Sequence, residues 1–212
     1  ARFTLPAPII PTYEALDPET AAMAVRAEWG LGELPIRNMI HLLELRGVRV
    51  FSLVEDCRAL DAYSSWSDGI PYVFLNTMKS AEHSRQDAAH ELGHLVLHQK
   101  GGPQGNRQTE QEANQFGSAF LMPKASVLAN APVRGSLRQV IETKRLWNVS
   151  VVNLIHRMHT LKLLTDWQYR AMMIEASDLG YRAKEPSPSP RETSQVLAKV
   201  LNTLRDEGLT LR

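Results

Sequence analysis

The chain is short of several things. Only one of its 212 residues is a cysteine, Cys57, so no disulfide can form within it, and the expected compartment is the cytoplasm. The charge balance is nearly even, at +1, which gives no general attraction to nucleic acid or to an anionic membrane. No apolar run approaches the roughly 20 residues of a membrane-spanning helix, so no membrane role is expected. The opening residues, ARFTLPAPIIP, lack the charged segment and apolar run of a secretory leader. Internal repeats are absent. What remains is 43% hydrophobic and 22% charged, a composition that folds and buries a core.

Helix and strand signals divide the chain into an α+β pattern. The first dozen residues, with three prolines, read as an extended arm. In DPETAAMAVRAEWGLG, Asp17 is placed to cap a helix, Pro18 suits its first turn and Gly30 stops it. LPIRNMIHLLELRG predicts a second helix, with an apolar stripe at Ile36, Met39, Ile40 and Leu43 and an end at Gly47. VRVFSLV alternates as a strand does, and LDAYSSW and PYVFLN, joined through SDGI, predict a hairpin. A helix is expected over residues 80–98, broken by Gly101, Gly102 and Pro103. TEQEANQFGSAFLM makes the next helix, stopped near Pro123. Residues 136–178 carry two or three more amphipathic helices. EPSPSP at 185–190 reads as a linker, and a last helix spans about 192–207. The organisation expected is a core over 1–130, a helical region over 131–184, and a proline-rich linker with a terminal helix over 185–212.

The chemistry concentrates in RQDAAHELGHLVLHQK. His90 and His94 are four residues apart, so on a helix they lie one above the other and can reach a single ion. Glu91 sits one step round, clear of the metal yet within reach of the water it activates. The flanking Ala88, Ala89, Leu95, Val96 and Leu97 are apolar enough to bury the helix, and a buried glutamate with two histidines needs something to offset desolvation. A catalytic zinc requires a third protein ligand and one open position. The position ten residues after His90 is Lys100, which rules out the class with a third histidine there. His98 lies eight residues from His90, about 12 Å along a helix, too far for a straight helix to converge all three on one ion. It is expected outside the metal's contacts, near the helix C-terminus. The following helix offers Glu110 and Glu112. Its apolar face is Ala113, Phe116, Gly117, Phe120 and Leu121, from which Glu110 deviates by about 60° and Glu112 by about 100°. Glu110 is therefore the third ligand expected, with Asn114 one turn on to orient it, and Glu112 is expected as a solvated charge.

The ordered combination of HELGHLVLH, a polar gap and ExEANxFxxxFLMP resembles the ImmA/IrrE family of zinc metallopeptidases. PYVFLNTMKSAEHSRQDAAHELGH resembles the family's strand leading into the metal helix, and the likeness extends over roughly residues 30–186. Arg85 fits an arginine common before the motif, whereas Gln86 or Asp87 stands where an aromatic is usual, and FGSAF replaces the commoner FAAEL. The resemblance implies a zincin-like peptidase core: a small sheet packed on the metal helix, with helices after it. It implies Zn2+ held by His90, His94 and Glu110, Glu91 as the base, and a cytoplasmic endopeptidase. It also implies a protein substrate, a helix-turn-helix repressor of a phage, mobile element or stress response. No helix-turn-helix precedes the metal helix in residues 1–79. Tyr72, His83 and His98 are the candidates to stabilise an oxyanion. Two other readings compete. Residues 134–172 set Arg134, Arg138, Lys144, Arg145, Arg157, Lys162 and Arg170 against Glu142 and Asp166, and NVSVVNLIHRMHTLKLLT, with Ser150 as a cap, has the outline of two short helices, so a DNA-binding regulator is the first alternative. The second is a protein that sequesters a partner and uses its metal structurally, although a closed structural site would not need Glu91.

Overall fold

The computed structural model describes residues 5–53, 62–99, 106–132, 135–206 and 208. Cys57, the first residues of the expected hairpin at Leu60 and Asp61, the Gly101–Gly102–Pro103 break and Arg134 lie outside them. Among the described residues the α-helices and strands follow in the order α1 (Pro18–Glu28), α2 (Met39–Leu45), β1 (Arg49–Ser52), β2 (Ala62–Ser67), β3 (Ile70–Leu75), α3 (Ala81–Leu97), α4 (Arg107–Leu121), α5 (Lys124–Asn130), α6 (Leu137–Thr143), α7 (Val151–Thr160), α8 (Asp166–Asp178) and α9 (Val196–Asp206). The architecture is α+β, with a small mixed sheet packed against the α3 helix.

Local chemistry sets most element ends. Asp17 caps α1 by accepting from the Thr20 N–H at 3.1 Å, with Pro18 in the first turn. The second helix begins at Met39, later than the pattern from Leu34 suggests, because Asn38 caps it and accepts from the His41 N–H at 2.8 Å. Ile36 still joins the core, from outside the helix. The hairpin turn is Asp68–Gly69, both at positive φ (50° and 73°), the two-residue form that matches strand twist. Ser80 and Asn106 cap α3 and α4. A short α5 helix follows Pro123 directly, where only a stop is expected from sequence.

The strand order is β1-β3-β2, with β1 parallel and β2 antiparallel to β3. Val50, Ser64, Val73 and Leu75 are buried, and the hydroxyl of Ser64 reaches α3. On the opposite face Phe51, Tyr63, Tyr72 and Phe74 stack on one another. Burying one face and exposing the other follows from the two-residue period of a strand.

The α3 and α4 helices pack against each other through two glycines. A Cβ on Gly93 would lie 3.1 Å from the Ala113 Cα, and one on Gly117 would lie 3.0 Å from the His90 nitrogen and 3.1 Å from the Ala89 carbonyl carbon. Neither helix could approach the other so closely with alanine at these positions. Gly117, in FGSAF, lets α4 lie directly against the backbone of Ala89 and His90.

The C-terminal region carries two corrections. Residues 185–195 do not form a free spacer but a strap held against the core. Glu192 accepts from the Met39 and Ile40 N–H groups at 2.8 and 3.2 Å and pairs with the buried Arg85. The Ser189 N–H donates to Glu82 at 2.6 Å, and Glu44 accepts from the Gln195 N–H at 3.0 Å. Backbone N–H groups, those of the first turn of α2 among them, and buried carboxylates satisfy one another across this join. Second, the basic run over 134–172 is not a uniform solvated surface. Lys144 is buried between Glu82 (3.4 Å) and Glu185 (3.2 Å), and Arg157 is buried on Glu19 (2.5 Å) with its Nε donating to the Met122 carbonyl at 2.9 Å. Neither cation is free for a phosphate. Among the described residues no helix is long and apolar enough to cross a membrane.

Candidate metal centre

The α3 helix brings His90 and His94 together on one face, as four-residue spacing requires. Their Nε2 atoms lie 3.0 Å apart. Glu110, in the first turn of α4, reaches across, with Oε2 at 3.2 Å from His90 Nε2 and Oε1 at 3.5 Å from His94 Nε2. Among the described residues His90, His94 and Glu110 form the one group of three with a suitable donor cluster. Donors about 2.0–2.1 Å from one ion at tetrahedral angles stand about 3.3 Å apart. The separations of 3.0 Å between the histidines and 3.2 and 3.5 Å to the two Glu110 oxygens lie on either side of that value.

Proton bookkeeping points the same way. Asn114 presents its Oδ1 at 3.0 Å from His90 Nδ1, so that nitrogen carries the proton and Nε2 holds a lone pair. His94 Nδ1 is engaged by His98 Nδ1 at 3.1 Å. The Nε2 atoms then face each other and the Glu110 carboxylate, an arrangement that a metal ion or a ring proton would hold together. Burial pushes the pKa of His90 down, and that of His94 down to about 4 with the neighbouring His90 adding to the effect. Neutral imidazoles are the metal-binding form.

Glu91 stands apart from the trio. It is only 4% exposed, and burial pushes its pKa up to about 7. The Ser64 hydroxyl on β2 donates to Glu91 Oε2 at 2.6 Å, which pulls the other way, while the charges of Glu110 and Asp87 add to the rise. A carboxyl group poised near neutrality is suited to exchange protons.

The geometry revises several sequence expectations. Asn114 orients His90, not Glu110. Glu112 is not merely solvated: its Oε2 accepts from His98 Nε2 at 2.9 Å, a bond that holds the Glu112 carboxyl below the usual range. Its side chain is 32% exposed against 45% for Glu110, the reverse of the helical-wheel ranking. Both glutamates lie in the first two turns of α4, where direction toward the histidines matters more than angle from the apolar stripe. His98 ends α3 as its C-cap and does not join the trio. Tyr72 stacks with Phe51 and Phe74 on the sheet face opposite Val73. His83 lies two turns before His90, about 10 Å along the helix, with Nε2 at 3.2 Å from Lys79 Nζ. Sequence reasoning missed Ser64 altogether. Its only trace was the alternation of AYSSW, which puts Ser64 on the buried side of a strand.

No curated protein matches the chain. The family model Peptidase_M78, described as the IrrE N-terminal-like domain, matches residues 44–159. That span covers more than half of the sequence and takes in the sheet, the histidine helix, Glu110 and the helices up to α7. The chain belongs to the Peptidase_M78 family of metallopeptidases.

Proposed function

We propose that the protein is a zinc-dependent endopeptidase that cuts a regulatory protein, a helix-turn-helix repressor, in the cytoplasm. One observation carries the reading: the Nε2 atoms of His90 and His94 and the two carboxylate oxygens of Glu110 meet at 3.0–3.5 Å beside a buried glutamate that takes no part in the cluster. These two nitrogens and a carboxylate suit zinc, leaving room for a fourth, exchangeable position. When bound, the ion lowers the pKa of a water toward about 7 and polarises the carbonyl to be attacked.

Glu91 is the general base. Ser64 fixes its Oε2, which leaves Oε1 to take a proton from the attacking water. The water oxygen adds to the peptide carbonyl carbon, the C–N bond breaks, and Glu91 returns the proton to the departing amine. The β2 strand, which carries Ser64, is an edge strand bonded only to β3 among the described residues. The edge of β2 away from β3 offers backbone donors and acceptors to an extended substrate segment passing the α3 helix. Binding along an edge needs no chain terminus, which supports internal cleavage. The repressor as substrate rests on the family likeness.

The ligand set is tested by the zinc content of purified wild type, His90→Ala and Glu110→Gln. One zinc per wild-type chain and its loss in both variants is expected. Full zinc content in both folded variants would overturn the assignment.

A further inference from the structure

A row of polar groups continues away from the metal trio and is not needed to complete it. His94 Nδ1 is 3.1 Å from His98 Nδ1, and His98 Nε2 is 2.9 Å from Glu112 Oε2. We propose that Glu112 and His98 are positioning residues that orient His94 for the metal: the carboxylate fixes the tautomer of His98, and His98 fixes that of His94. This rests on the reading of His94 as a ligand.

The logic is one of donors and acceptors. Ionised Glu112 has only lone pairs to offer, so the His98 Nε2 carries the hydrogen. A neutral imidazole has one N–H, so His98 Nδ1 is an acceptor. The hydrogen between the two rings therefore belongs to His94 Nδ1, which leaves the His94 Nε2 lone pair directed at His90 Nε2 and Glu110. With the tautomer reversed, His94 would aim an N–H at the ion. A metal-bound histidine commonly donates its second ring nitrogen to a carboxylate or carbonyl, which sets both ring angle and basicity. His90 meets that need with the amide of Asn114. His94 meets it through an intervening imidazole, because Glu112 leaves α4 beside the end of α3 and not beside its middle. Gln108, which donates to Glu112 Oε1 at 2.9 Å, holds the carboxylate from its other side. The third histidine of HELGHLVLH thus bridges the two helices at the point where α3 ends.

The test is zinc affinity, measured by competition with a chromogenic chelator on wild type, His98→Ala, Glu112→Leu and Glu112→Gln. Melting temperatures of the zinc-free proteins establish that each variant folds. His98→Ala and Glu112→Leu are expected to weaken zinc binding by about 10–100-fold, with zinc-free melting unchanged. Glu112→Gln keeps an acceptor oxygen and is expected to stay within about threefold of wild type. Should His98→Ala fail to fold, the half-exposed Glu112 position carries the test alone. Wild-type affinity in folded His98→Ala and Glu112→Leu would overturn this proposal and leave the ligand assignment standing. A wild-type protein that binds no zinc would overturn both.

Discussion

Replacing Glu91 by glutamine is expected to stabilise the zinc-free protein at neutral pH while it abolishes catalysis. Glu91 is 4% exposed, and its pKa rises from 4.5 to about 7 mainly because burial disfavours the ionised form. Each pKa unit corresponds to about 1.4 kcal/mol, so the displacement represents about 3 kcal/mol of folding free energy. The direction follows from where the proton sits. Below pH 4.5 the carboxyl is protonated in folded and unfolded chains alike, and burial carries no ionic cost. Between 4.5 and 7 the unfolded chain releases its proton while the folded one retains it, so stability falls. Above 7 the loss is complete. Glutamine has no proton to lose, so the gap in favour of Glu91→Gln widens by roughly 2–3 kcal/mol between pH 5 and pH 8. His90 and His94, whose pKa values are shifted downward, lose stability toward acid in both proteins and largely cancel in the comparison. The assay is urea unfolding with a strong chelator present, at both pH values. A variant no more stable than wild type at pH 8, or a gap of equal size at pH 5, would refute the electrostatic argument.

Other perturbations follow from single contacts. Gly117→Ala places a methyl group 3.0 Å from the His90 nitrogen and forces α4 away from α3; a loss of about 1–3 kcal/mol is expected in thermal unfolding, with weaker zinc binding because Glu110 moves with α4. Glu192→Ala leaves the buried Arg85 without its carboxylate and uncaps the Met39 and Ile40 N–H groups, so a loss of about 3–5 kcal/mol is expected in denaturant melts. An unchanged midpoint would mean that the strap contributes little. Ser64→Ala frees Glu91 Oε2; cleavage is expected to slow roughly tenfold at unchanged zinc content, and Ser64→Thr, which retains a hydroxyl, is expected to recover most of the rate.

Much of the site was legible because its signals are local. Asp17–Pro18, Ser80 and the Asp68–Gly69 turn mark real element ends, and the spacing of His90 and His94 alone dictates that they share a face. Choosing Glu110 over Glu112 from angles on a wheel reached the residue that faces the histidines, although exposure ranks the two the other way. What stayed hidden depends on distant pairing. Ser64 meets Glu91 only because β2 aligns with β3 in the register that sets Ser64 beside Val73. The parallel pairing of β1 with β3 leaves no trace in either strand. Lys144 and Arg157 look like surface charge in a basic run, and only Glu82, Glu185 and Glu19, far away in sequence, reveal them as buried. EPSPSP has the composition of a spacer, yet the carboxylates around it make it a strap.

The central claim is tested most directly by incubating the protein with helix-turn-helix repressors of the class proposed as its substrate, followed by mass spectrometry of the products. Wild type and Glu91→Gln are first brought to the same measured zinc content. The account predicts one defined internal cut by wild type, no cut by Glu91→Gln, and loss of the wild-type cut when the zinc is chelated. Equal cleavage by the zinc-loaded Glu91→Gln variant, or an undiminished cut by zinc-free wild type, would contradict it.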